Sequence, residues 1–79
     1  MDKNQEELKK FLQEQVEWCK QQDRTLEKIE NKLFEMKKLS EYSRDYKLSP
    51  SEIKNLNDQL NKMRLEIYTL EQQLQSEVN

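Results

Sequence analysis

The sequence predicts an all-α protein, a two-helix antiparallel coiled-coil hairpin that associates with a second copy into a four-helix bundle. Three observations carry this expectation. Gly is absent and the one Pro, Pro50, stands well inside the 79-residue chain. On both sides of it, apolar residues recur three and four apart, the repeat of a single helix face. The stretch 48–53, Leu-Ser-Pro-Ser-Glu-Ile, reads as a complete helix start.

The first helix is expected from about residue 4 to 45. Asn4 is a candidate N-cap with Glu7 at N3, and Asp2 competes for the same role. Glu6 and Glu7 would complement the positive end of the helix dipole. Leu8, Leu12, Cys19, Leu26, Ile29, Leu33 and Met36 occupy one heptad seam, with Gln15, Gln22, Ser40 and Ser43 on the same line. No Pro or Gly interrupts it, and its filler residues are strong helix formers. Apolar surface extends beyond that seam. Phe11 and Trp18 lie on one flank, to which Leu39 and Tyr46 return after Thr25 and Lys32. Val16 lies on the other flank, and Phe34 points away.

The connection is expected at 46–49, with Tyr42 and Tyr46 packing across it. Ser49 is the N-cap of the second helix, Pro50 its first residue and Glu52 its N3 residue. That arrangement is a capping box. Leu48 and Ile53 supply a hydrophobic staple around it. The second helix, about 50 to 77, carries Ile53, Leu56, Leu60, Met63, Ile67, Leu70 and Leu74 without a miss. Asp58 and Lys62 are spaced for an ion pair, while Leu65 and Tyr68 face outward. Fraying is expected from Ser76 to Asn79.

Folding the chain back at Pro50 sets the pairing. Leu33 should meet Leu60 and Met63, Ile29 should meet Met63 and Ile67, and Leu26 should meet Ile67 and Leu70. Cys19 arrives near Leu74, so the residues up to about Gln15 overhang by roughly 20 Å at the helical rise. Leu8, Phe11 and Leu12 then have no partner within the chain. An isolated hairpin with an exposed apolar overhang is marginal, and self-association is the simplest remedy. Gln15 and Gln22 bracket Cys19; they either specify register or mark a weaker open end.

Composition narrows the possible activities. Hydrophobic residues make up 33% of the chain and charged residues 38%, too lean a mixture for a deep globular core. Cys19 is the only cysteine, so no internal disulfide forms. A lone cysteine fits a reducing cytosol, with an intermolecular disulfide as the alternative. The N-terminus has no apolar signal segment and no apolar run approaches a membrane span, so a cytoplasmic protein is expected. Net charge is −2 with both signs interspersed, which speaks against nucleic acid and against a membrane surface.

No catalytic residue, cofactor site or metal site is expected. His is absent, removing the commonest general base and metal ligand. Phosphate-cradling loops need glycines this chain lacks. Cys19 sits on the seam as a small packed hydrophobe, and no carboxylate falls on the inward seam before Glu77. The run from Val16-Glu-Trp-Cys-Lys20 to Leu74 resembles short uncharacterised cytosolic helical-hairpin proteins of Gram-positive bacteria. The resemblance implies a bacterial, cytosolic source and carries no catalytic motif or established activity.

The expectation is a non-enzymatic protein–protein interaction module, a homodimer or higher oligomer serving as a small adaptor, regulator or inhibitor of another protein. Its interaction surface would comprise Leu8, Phe11, Leu12, Val16, Trp18, Phe34, Leu65 and Tyr68. The alternative, a nucleic-acid-associated accessory protein, would require the fold to gather basic residues on one face.

Overall fold

The computed structural model describes residues 2–76, with Gln75 and Ser76 described in backbone only. The expectations for residues 77–79, including the seam place given to Glu77, lie outside the described residues. Two helices, α1 (Lys3–Asp45) and α2 (Pro50–Ser76), fold into a hairpin. The molecule is a rod with principal extents of 70 × 19 × 12 Å and a radius of gyration of 20.1 Å. A compact chain of this length would have a radius of gyration of about 12 Å.

Asp2 caps α1 by accepting a 2.8 Å hydrogen bond from the Gln5 amide. Of the two candidate caps, Asp2 rather than Asn4 is used. The helix then runs without a break until Tyr46, whose extended backbone (φ −122°, ψ 142°) ends it. The Tyr46 amide still donates to the Tyr42 carbonyl at 3.1 Å.

The capping box is formed as its sequence requires. The Glu52 amide donates to Ser49 Oγ, and the Ser49 amide donates to Glu52 Oε1, each at 3.2 Å. These reciprocal bonds satisfy amides that the first turn of α2 would otherwise leave open. The hydrophobic staple is only half realised. Leu48 is half-buried and borders a hollow with Leu39, Tyr42 and Leu56, whereas Ile53 is largely exposed. Tyr42 and Tyr46 stack on each other, centroids 4.6 Å apart, and Tyr42 alone reaches the hollow across the turn.

On α2 the covered face is Leu56, Leu60, Met63, Ile67, Leu70 and Leu74, as the heptad predicts except for Ile53, with Glu66 partly covered beside it. On α1 the seam differs from the expected one. The covered residues are Gln22, Thr25, Ile29, Lys32, Met36 and Leu39, with Glu41 partly covered beside the turn. Leu26 and Leu33, expected on the seam, are 46% and 51% exposed. Cys19 is exposed as well.

The seam has therefore turned by about 50° around α1, half of one residue's angular step. It keeps the heptad column of Gln22, Ile29 and Met36. It exchanges the column of Leu26 and Leu33 for the column of Thr25, Lys32 and Leu39. The turn accounts for the choice. At the closed end the first of these columns offers Ser40, while the second offers Leu39 beside Tyr42, Leu48 and Leu56. Burying Leu39 there gains apolar contact that Ser40 cannot supply.

Polar residues in this seam are satisfied. Thr25 is 7% exposed, and its hydroxyl donates to the Gln21 carbonyl at 3.1 Å. Lys32 lays its aliphatic stem along the seam and carries its ammonium to Glu66 Oε2, 2.6 Å away across the hairpin. This pair ties α2 to α1 across the hairpin. Lys62 acts electrostatically on Glu66, four residues on, rather than pairing back with Asp58.

Candidate interaction surface

From Asp2 to Gln21 every residue is exposed, and Gln22 is the first with partial cover. The overhang is longer than the sequence suggested, about 28 Å of helix rather than roughly 20 Å. The rotated seam adds to it, because Cys19, Leu26 and Leu33 join the uncovered surface instead of facing α2.

The eight expected surface residues are all exposed, but they do not form one patch. Leu8, Leu12 and Val16 follow one another at four-residue steps and line a single shallow groove on the outer half of α1. Its polar walls are Gln5, Lys9, Gln13 and Glu17. Phe11 and Trp18, seven residues apart, share a neighbouring column. Trp18, at 37%, is the least exposed of the eight and borders a second hollow with Lys10, Glu14 and Gln21.

Phe34 stands apart from these. Lys38, one turn on, places its ammonium 4.9 Å from the Phe34 ring centroid. That contact gives the exposed ring a partner within its own helix. Leu65 and Tyr68 belong to α2, on faces turned away from the Met63 and Ile67 seam. The working set on α1 is therefore Leu8, Phe11, Leu12, Val16 and Trp18, extended by Cys19, Leu26 and Leu33. The last three were legible in the sequence as apolar heptad positions, but nothing in the spacing said they would be left uncovered.

Electrostatics add one organised feature, the Lys32–Glu66 bridge between the helices. The hydrogen bond from Lys32 and its positive charge lower the Glu66 carboxyl below its ordinary value, against a smaller opposing effect of partial burial. The same bond raises Lys32 above its ordinary value, with Glu66 and Glu35 adding charge attraction. Glu17 with Lys20, and Lys37 with Glu41, form exposed pairs along α1 at 3.5 and 4.0 Å. Such exposed pairs add little to stability.

Among the described residues no group of three or more His, Cys, Asp or Glu could hold a metal ion. No described helix is long and apolar enough to cross a membrane. Basic and acidic side chains are interspersed along both helices. Comparison with protein-family models, with curated proteins and with solved structures found no match.

Proposed function

We propose that this chain is a non-enzymatic interaction module that self-associates through the apolar face of α1 and works by holding another protein chain. The reading describes a small cytoplasmic adaptor, regulator or inhibitor rather than a catalyst. The observation that carries it is the length of uncovered helix bearing Leu8, Phe11, Leu12 and Val16, each more than half exposed.

Surface area supports the same reading. The chain exposes 6890 Å². A compact monomer of this mass would expose about 5,100 Å². A standard protein interface removes about 800 Å² from each partner. The excess is thus more than enough for one such contact, and a contiguous apolar stripe of this length is uncommon on a protein that works alone.

Sedimentation equilibrium at micromolar concentration tests the proposal. A mass of twice 9.7 kDa or more is expected, and a well-folded species of monomer mass would overturn it. Trp18→Asp should weaken association about tenfold or more in the same measurement. Unchanged oligomer mass in that variant would remove Trp18 from the interface.

A further inference from the structure

We infer that Leu8, Leu12, Cys19, Leu26 and Leu33 form the contact face for a second copy of this chain, docked antiparallel along α1 with its two-fold axis between Cys19 and Gln22. The inference rests on the self-association proposed above and supplies its geometry.

The sequence of α1 carries three adjacent heptad columns. The middle one holds Leu8, Gln15, Gln22, Ile29 and Met36. On one side lie Phe11, Trp18, Thr25, Lys32 and Leu39. On the other lie Leu12, Cys19, Leu26 and Leu33. In the hairpin, α2 covers the middle column and the Thr25–Lys32–Leu39 side, from Gln22 onward. The Leu12–Leu33 side is left open for its whole length. Middle column and open column together make a second four-three seam on the same helix. One helix can thus serve two neighbours, sharing the column between them.

Read against an antiparallel copy of itself, this second seam selects one register. Leu8 stands opposite Leu33 of the second copy. Leu12 enters the space framed by its Leu26, Ile29, Glu30 and Leu33. Gln15 faces Leu26, and Cys19 faces Gln22 across the axis, so the polar layers collect at the centre. A shift of one heptad toward the N-terminus sets Leu12 against Gln22 and leaves Leu33 bare. A shift the other way sets Gln15 against Leu33 and Gln22 against Leu26.

Charge agrees with that register. The positions flanking the open column are Lys9, Val16, Asp23, Glu30 and Lys37. In the favoured alignment Lys9 lies beside Glu30 of the second copy, and Asp2 beside its Lys37. In the alignment shifted toward the turn, Lys9 meets Lys37 and Asp23 meets itself, both repulsive.

The arrangement also accounts for Phe11 and Trp18. In an antiparallel pair like columns face one another, so these rings turn toward the Thr25–Lys32–Leu39 column of the second copy, where its α2 lies. The overhang of each chain is received by the hairpin of the other, so residues 22–39 of each α1 lie within three helices. The dimer has four helices in all, and its closed symmetry leaves no overhang unpaired.

Charge exchange reads the register directly. Lys9 and Glu30 stand on one straight helix about 31 Å apart, too far to pair within a chain. Lys9→Glu should weaken dimerisation several-fold at low salt, and adding Glu30→Lys should restore it. Failure of the double exchange to restore would overturn the register. Leu33→Asp should raise the dissociation constant tenfold or more with helix content unchanged, since Leu33 is exposed in the hairpin. Unchanged affinity would overturn the contact face.

A spin label at Lys10→Cys in a Cys19→Ala chain adds a distance by pulsed electron resonance. Roughly 35 Å between labels is expected from the helical rise and interhelical spacing. A dimer with labels within about 20 Å would overturn this geometry while leaving self-association standing. A chain that is monomeric throughout would overturn both.

Discussion

Ile29 and Ile67, each 9% exposed, are the buried apolar side chains among the described residues, and no side chain is wholly enclosed. Stability therefore concentrates on a few half-covered residues. Ile67→Ala should cost about 2 kcal/mol or more, a large share of what a two-helix hairpin possesses. Loss of helical circular dichroism at a markedly lower temperature is the expected result. The Lys32–Glu66 pair gives a pH signature at the same scale. Glu66 has a lowered folded-state pKa, so its contribution is present above the ordinary carboxylate range and fades as pH falls through that lowered value. Lys32 has a raised one, so its contribution holds below the ordinary lysine range and fades as pH rises through the raised value. Melting temperature should be flat from about pH 5 to about pH 10 as far as this pair is concerned, and fall outside that window. In Glu66→Gln the acid-side fall should shrink.

At the scale of elements, the two helix starts are unequal. Asp2 holds α1 through one bond to Gln5, while Ser49 and Glu52 hold α2 through two reciprocal bonds. The α2 start also closes the hairpin, so its loss is felt by both helices. Ser49→Ala should destabilise by about 1 kcal/mol, measured as a lower midpoint in urea with an unchanged slope. Asp2→Ala should fray only the overhang, because the first turns of α1 are exposed along their whole length. The α1 seam shows how an element can be legible in type and misread in facing. Every residue of the expected helix is helical, yet Leu26 and Leu33 face out and Thr25 and Lys32 face in. Three apolar columns lie side by side on this helix, and period alone cannot say which two α2 will take.

At the scale of the whole molecule, a 70 Å rod of two helices leaves thirteen large hydrophobic side chains exposed and buries two, among the described residues. Association is the physical route by which such surface leaves water. If folding and association are linked, stability becomes a function of concentration. The melting temperature should rise by several degrees between about 1 and 100 μM chain, and a constant value across that range would show a hairpin stable on its own. Much of the overhang follows from a simple inequality: α1 has 43 residues and α2 has 27, so α2 cannot cover at least 16 residues of α1.

The sequence by itself determined the helices, the turn and the capping box, because these depend on neighbours within a few residues: Ser49, Pro50 and Glu52 act on the backbone beside them. It also determined the covered face of α2 from Leu56 to Leu74, where one column pair runs unbroken, although Ile53 at its start is exposed. Only the tertiary structure decided which face of α1 is spent inside the hairpin. The turn favours that choice, since Leu39 borders one hollow with Leu48 and Leu56 while Ser40 has no apolar surface to bury. From there the rigid helix carries the rotation along its length and turns Leu26, Leu33 and Cys19 outward, into line with the overhang.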